Sequence, residues 1–164
     1  MTIPEMFLLE FDQEMPGTRT ILERVPDASF SWKPHERSMT LGRLASHIAE
    51  LPARCATIID TEVYVRQPGT PPWSAPSTAA LLEKFDASAA EARTALSSLR
   101  DDQLEVTWAI KMGDRTLISV PRVMALRRVF MDHLIHHRAQ LGVFLRLLDV
   151  PIPGLYGPSA DDQH

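Results

Sequence analysis

The stretch from Pro121 to Asp149 constrains the fold of this chain more than any other, because it keeps a helical period along its whole length. Its apolar residues recur at the spacing that places side chains on one face of an α-helix: Val123, Leu126, Phe130, Leu134, Leu141, Phe144, Leu145 and Leu148. At ~1.5 Å per residue such a helix is roughly 40 Å long. Pro121 suits the first helical turn, and the VPIPG that comes after Asp149 ends the helix. The stretch therefore predicts one long helix that spans a small domain.

Three of the six histidines lie on this predicted helix. On a helical wheel of ~100° per residue, His137 lies within about 40° of Phe130, Leu141, Phe144 and Leu148, so we expect it to point into the core. His133 lies about 40° to the other side of His137, whereas His136 lies about 100° away on the flank. Two imidazoles one turn apart can offer nitrogens to one metal ion, although a pair of hydrogen-bonded core histidines is the alternative.

Length, composition and charge favour one globular domain that covers residues 1–164. The 45% of apolar residues suffice for a single core, and the net charge of −4 provides no overall attraction to nucleic acid. No apolar run approaches the ~20 residues of a membrane span, and the N-terminal sequence lacks the features of a signal peptide, so we expect a cytoplasmic protein that does not enter membranes. The single Cys55 excludes an intramolecular disulfide and a cysteine-built zinc site, and core packing is its expected role.

Capping residues and periodicity predict three further helices. The first begins at a capping box of Thr2 and Glu5, the second has Thr40 as its N-cap, and the third has Ser77. The Pro16-Gly17 pair interrupts the first helix, and we expect a kink or a local break there.

The remaining segments predict one connection and one hairpin. Residues 61–76 contain four prolines and a glycine and are predicted to be a connection without regular structure. Residues 105–120 alternate apolar and polar side chains around Gly113-Asp114, which favours a short hairpin, although an irregular loop is also compatible. The order of elements favours an all-α four-helix bundle with a short β-hairpin before the last helix.

Other polar residues are candidates for a site. His47 lies on the second predicted helix about 80° from the centre of its apolar stripe, either facing a cavity or at the boundary of the core. Gln140 and Glu50 can contact a substrate or orient an imidazole, with an ordinary boundary or solvated position as the alternative. His35, in the loop WKPHERSM, is a candidate for a pocket mouth. Arg138 is expected on the flank opposite Gln140, where it meets a carboxylate or solvent.

Three motifs together resemble the DinB/YfiT superfamily of metal-dependent four-helix proteins, which is distinct from the DNA polymerase that shares the DinB name. They are SMTLGRLASHIAELP, DHLIHHRAQLGVFLR and VPIPGLYGPSADD, and the resemblance covers nearly the whole chain in order. It implies that the family's histidine on the second helix falls on His47. It also implies that the two histidines one turn apart on the last helix fall on His133 and His137.

The resemblance implies a divalent metal ion held by three neutral imidazoles, with at least one coordination position left open, as in catalytic zinc sites. Such an ion favours a thiolate over a thiol, or activates a water molecule. Because some relatives are thiol-dependent S-transferases or isomerases, we expect transferase chemistry on a small electrophile, with a low-molecular-weight thiol as cosubstrate. A metal-dependent hydrolase and a non-catalytic metal or small-ligand binding protein are the alternatives. Imidazole suits zinc, nickel and iron alike, so the pattern does not choose between them.

The expected partners are a small-molecule substrate and a second copy of the chain. Val143 and Leu147 lie toward the outer flank of the last predicted helix, where a partner helix would cover them, so we expect a homodimer. The negative net charge argues against nucleic acid as a partner.

Overall fold

A computed structural model describes residues 1–162 and shows a mostly helical fold with a small mixed sheet. The first three helices are α1 (Ile3–Leu22), α2 (Leu41–Asp60) and α3 (Thr78–Ser98). The strands are β1 (Val63–Val65), β2 (Thr107–Met112) and β3 (Arg115–Pro121). The C-terminal helix comes directly after β3 and consists of α4 (Arg122–Ala125), a π-helical segment (Leu126–Met131) and α5 (Asp132–Leu147).

The three predicted helix starts are confirmed. The Thr2 hydroxyl accepts the Glu5 amide at 3.2 Å, and the Glu5 carboxylate accepts the Thr2 amide at 2.8 Å, which completes a capping box. The side chains of Thr40 and Ser77 each accept the amide three residues further on. Each cap satisfies an amide that the helix itself leaves without a partner.

Helix α1 continues through Pro16 and Gly17. Of the two outcomes predicted for this pair, a kink or a local break, the break does not occur. Pro16 has no amide hydrogen and forgoes one helical hydrogen bond. The adjoining residues Met15 and Thr18 are buried, and the Thr18 hydroxyl donates to the Glu14 carbonyl at 2.9 Å. Burial on both sides of the proline outweighs the single missing bond.

The four long helices pack around one hydrophobic core. Helix α2 packs against α3 and against the C-terminal helix, and α1 packs against α3 and α5. Large side chains that are almost completely buried fill the space between them, including Phe11, Leu44, Phe85, Phe130 and Leu141. Cys55 belongs to this core, as expected, and burial raises the pKa of its thiol.

The predicted hairpin is confirmed, and the sheet contains one strand more than predicted. Strands β2 and β3 pair antiparallel, and Gly113 adopts a φ of 56° in the two-residue loop between Met112 and Arg115. Strand β1 pairs parallel to β2, with Val63 opposite Ala109, so the prediction of residues 61–76 as a connection throughout is wrong. Three residues are too few to show the alternation that marks a strand.

The buried face of α5 differs from the predicted one. Its fully buried side chains are Leu134, Arg138, Leu141 and Leu145, whose mean direction lies about 70° around the helix from His137. His137 is only partly buried, so the prediction that it points into the core is wrong. The histidines therefore lie along the edge of the buried face.

Arg138 is buried among acceptors from two distant segments. Its guanidinium lies 2.6 Å from the Glu14 carboxylate, and it donates to the Thr18 hydroxyl at 3.0 Å and to the Tyr156 hydroxyl at 2.5 Å. Tyr156 in turn donates to the Glu14 carboxylate at 2.7 Å. Of the two surroundings expected for Arg138, a carboxylate or solvent, the structure shows the carboxylate. The cluster joins α1, α5 and the C-terminal tail.

A second buried arginine, Arg122, ties the end of α2 to the start of the C-terminal helix. It donates to the carbonyls of Ile58 at 2.9 Å, Thr61 at 3.1 Å and Gln103 at 2.9 Å. Carbonyls at the end of a helix carry partial negative charge, so they stabilise the Arg122 cation.

Among the described helices, none has both the length and the apolar composition that crossing a membrane requires.

Replacing Arg138 by methionine is expected to lower the free energy of unfolding by about 3–5 kcal/mol, because Glu14 would remain buried without its counter-ion. Urea denaturation of the purified variants measures this change. Arg127→Met is the matched control, because Arg127 also pairs with a carboxylate of α1, Glu10, but at a partly exposed position. It is expected to cost less than about 1 kcal/mol. Equal losses in the two variants would contradict a special role for the buried pair.

Candidate metal centre

Three histidine rings from two helices meet beside the core. His47 comes from α2, and His133 and His137 lie one turn apart on α5. The Nε2 atoms of His47 and His133 are 3.2 Å apart, and the three ring centroids are separated by 4.7 to 5.0 Å. One nitrogen from each ring can be chosen so that all three lie within 4.8 Å of one another. The structure thus brings together the three residues that were predicted as ligands, and we call them the histidine triad.

The π-helical segment directly precedes α5. At its end, the amide of Asp132 donates to the carbonyl of Arg127, five residues back instead of four. A π turn accommodates one extra residue and rotates the helix before it by about 100° relative to the helix after it. Because His133 and His137 both lie after this segment, their mutual spacing is that of a regular α-helix.

Two carbonyl oxygens hold the rings of the α5 histidines. The His137 Nδ1 atom is 2.7 Å from the Gln140 side-chain oxygen, and the His133 Nδ1 atom is 3.3 Å from the Val129 carbonyl oxygen. Carbonyl oxygens only accept hydrogen bonds, so both contacts favour a hydrogen on Nδ1. This tautomer leaves the Nε2 lone pair of each ring free to bind a metal ion.

The surroundings of the triad favour uncharged imidazoles. Burial, followed by the proximity of His133 and His137, lowers the pKa of His47 to about 3. Burial also lowers the pKa of His133 and of His137, and the contact with Gln140 partly opposes the effect at His137. Protons therefore compete little with a metal ion for these nitrogens at neutral pH.

A cavity of about 580 Å³ adjoins the triad, and His47 and His133 form part of its wall. It lies between α2 and the small sheet. Aromatic and aliphatic side chains supply much of the remaining wall, including Tyr64, Trp73, Ile110, Leu117 and Ile118. This volume is typical of sites that enclose a small molecule.

The other candidates lie in different surroundings. Glu50 lines the cavity, and burial raises its pKa, but within the described chain its carboxylate makes no hydrogen bond to the triad. His35 is exposed, accepts the Arg37 amide at 3.2 Å, and is not among the residues that line the cavity. His136 is exposed on the flank of α5, although its ring centroid is 5.0 Å from that of His137.

Three arginines of the cavity wall, Arg43, Arg54 and Arg66, were not predicted from the sequence. Arg43 and Arg54 line the cavity from the same face of α2 as His47. Their positions, four residues before and seven residues after His47, are the signal that could have found them, because both spacings return to one face of a helix.

The residues present fit a divalent metal ion. Two nitrogens that each lie ~2.0–2.1 Å from a tetrahedral zinc ion are about 3.3 Å apart, close to the 3.2 Å between the His47 and His133 rings. Three neutral imidazoles and no cysteine are a donor set that zinc, nickel and iron all accept. Fold and site together define a helical protein with a three-histidine cluster that can hold a metal ion.

Comparison with known proteins agrees with this class. The model of the DinB family matches residues 2–164, so the chain belongs to the DinB family. It is 23% identical over 159 residues to the uncharacterized protein YrdA of Bacillus subtilis, covering 95% of this chain and 89% of that protein.

Two solved structures have the same fold. A DinB-like protein from Bacillus cereus superposes with a TM-score of 0.72 at 24% identity, covering 93% of this chain and 97% of that one. The DinB-like protein YjoA from Bacillus subtilis superposes with a TM-score of 0.68 at 19% identity, covering 97% and 99%.

The lowered pKa of His47 predicts how the stability of the metal-free protein depends on pH. An unfolded histidine titrates near pH ~6.5, whereas folded His47 titrates near about 3. The folded state therefore binds fewer protons, and the stability present above pH ~6.5 is lost as the pH falls toward about 3. In His47→Gln, which cannot titrate, the melting temperature should fall less steeply over this range. Circular dichroism melts of the chelator-treated proteins measure both slopes, and identical slopes would contradict the prediction.

Proposed function

We propose that the protein is a single-domain four-helix-bundle enzyme that depends on a divalent metal ion held by His47, His133 and His137. Its proposed reaction transfers the sulfur of a low-molecular-weight thiol to a small electrophile. The observation that carries the proposal is the triad itself, whose nitrogens lie within 4.8 Å of one another beside a cavity of small-molecule size. Membership of the DinB family supports it.

A divalent ion in this site supplies a positive charge that favours the thiolate form of a thiol. The chain contributes the ring positions, because Gln140 and the Val129 carbonyl orient two of the imidazoles. The three imidazoles are neutral ligands, so they would leave the positive charge of the ion undiminished. In the reaction the sulfur forms a bond to the electrophilic carbon, and the leaving group departs with the electron pair of the broken bond.

The sulfur has to come from a separate molecule. The one cysteine of the chain, Cys55, is completely buried in the core, and burial raises the pKa of its thiol. A buried thiol with a raised pKa is a poor nucleophile. Glu50 is the carboxylate among the cavity's lining residues, and its raised pKa suits a group that accepts the proton released by the thiol.

We also propose that the chain forms a homodimer through the outer flank of α5. Val143 and Leu147 are each 59% exposed there, one turn apart on the same side of the helix. Apolar side chains at such positions gain stability when a second copy covers them.

Alanine substitutions test the metal site. His47→Ala, His133→Ala and His137→Ala each remove one of three nitrogens and should lose most of the bound metal. Gln140→Leu keeps all three nitrogens but removes the acceptor for His137, so a 10–100-fold weaker affinity is expected. Elemental analysis and a competition titration with a chelator measure both effects, after reconstitution with zinc, nickel or ferrous iron.

His136→Ala is the matched control for this series, because it removes a neighbouring imidazole that points to solvent. It should keep the wild-type metal content. All four alanine variants should retain the helical circular dichroism, although loss of the ion lowers the melting temperature. A site emptied by His136→Ala and left full by His133→Ala would overturn the proposed ligand set.

Turnover with and without a thiol tests the reaction. The metal-loaded protein should consume small electrophiles only when a cellular thiol is supplied, and His137→Ala should abolish this activity. Liquid chromatography with mass spectrometry of the thiol adduct is the measurement. Turnover without any thiol would instead indicate the hydrolase, and stoichiometric metal without turnover across the panel would indicate a binding protein.

A further inference from the structure

Helix α2 presents an alternating stripe of charged side chains and a histidine to the cavity. Arg43, His47, Glu50 and Arg54 succeed one another at intervals of four, three and four residues and all line the cavity. On a helical wheel they fall within about 60° of one another. At ~1.5 Å per residue the stripe is about 16 Å long, with an arginine at each end and His47 between them.

The cavity has an excess of positive charge although the protein as a whole has a net charge of −4. Arg66, just after β1, adds a third guanidinium to the wall, where Glu50 is the carboxylate. Within residues 1–162, none of these three arginines takes part in a salt bridge, in contrast to six arginines elsewhere on the chain, Arg19, Arg93, Arg100, Arg127, Arg138 and Arg146. Their charges are thus available to a ligand.

One guanidinium nitrogen of Arg43, Nη1, is buried, and within the described residues it has no hydrogen-bond partner. Buried polar groups almost always have a partner, and a charged donor without one is especially unfavourable. The described part of the chain therefore leaves this donor of Arg43 uncompensated, which adds to the unneutralised positive charge of the cavity wall.

Arg54 lies over an aromatic ring. Its guanidinium carbon lies 5.7 Å from the centre of the Tyr64 ring, and Tyr64 lines the same cavity. A cation–π contact leaves the guanidinium N–H groups available to other acceptors. Paired N–H groups match the paired oxygens of a carboxylate or phosphate.

We propose that the cavity recognises its ligand through an anionic oxygen group, a carboxylate or a phosphate, which Arg43 binds one helical turn from His47 while the rest of the ligand reaches the histidine triad. Arg54, two turns from His47 on its other side, adds positive charge to the same cavity. Side chains one helical turn apart have Cβ atoms about 6 Å apart, so the anionic group and the reactive atom are separated by a short chain. The inference that a reactive atom of the ligand meets the triad rests on the proposed function. The inference of an anionic group does not, because it comes from the arginines alone.

Binding of simple probes tests the anion site without a reaction. Isothermal titration at low ionic strength with succinate and with inorganic phosphate, on metal-free and zinc-treated protein, shows which oxygen group is preferred. At least one of the two should bind, Arg43→Gln should weaken binding by tenfold or more, and Arg54→Gln should weaken it by less. Arg43→Lys, which keeps the charge but not the paired donors, should be intermediate.

The matched control is Arg24→Gln, which makes the same change of charge at an exposed position just after α1. It should bind the probes as the wild type does. Equal weakening in Arg24→Gln and Arg43→Gln would mean a diffuse charge effect and would overturn the proposal. Absence of binding by both probes in the folded wild-type protein would also overturn it.

A second comparison links the anion site to the triad. On zinc-loaded protein, 3-mercaptopropionate should bind at least tenfold more tightly than neutral 2-mercaptoethanol, and Arg43→Gln should remove this preference. Equal binding of the two thiols by a zinc-loaded protein would overturn the inference and leave the proposed metal site intact. A protein that takes up no metal but binds succinate or phosphate through Arg43 would overturn the proposed function and leave the inference intact.

Discussion

The contact between α2 and the C-terminal helix is the interaction on which the site depends. The triad has one ring on α2 and two on α5, so its 3.2 Å approach between His47 and His133 exists only while these helices stay in register. Core side chains on both helices fill the space between them. Arg122 fixes the register at one end, because it binds carbonyls at the end of α2 from the first turn of the C-terminal helix.

Two buried arginines connect the C-terminal helix to different parts of the fold. Arg122 donates to three carbonyls, whereas Arg138 uses the Glu14 carboxylate and two hydroxyls to join α5 to α1 and the tail. A guanidinium has five donors in a rigid plane, so one residue can connect three segments. Because Arg138 points to the opposite side of α5 from His133, the helix is anchored through one face and leaves the other to the cavity.

Local patterns predicted the local features, and long-range contacts account for the features that were missed. The helix caps and the spacing of His133 and His137 depend on neighbours within four residues, so they could be read from the sequence. The position of His47 next to them depended on the family resemblance, since its wheel position alone also suits a core boundary. The buried state of Arg138 depends on Glu14, a partner 124 residues away. Strand β1 forms because β2 lies beside it, and not because its own three residues have a strong pattern.

The π-helical segment has a consequence for how sequences of this family are compared. It separates α4, which is bound to the hairpin and to the end of α2, from α5, which holds the histidines. Loss of one residue from Leu126–Met131 would restore a regular helix and turn the two parts by about 100° relative to each other. A relative with a regular helix here would keep the spacing between its two histidines. Its residues before the segment would lie one sequence position closer to those histidines than in this chain. A one-residue alignment gap in this segment therefore marks the presence or absence of the π turn. The residues before the gap and those after it have to be aligned separately.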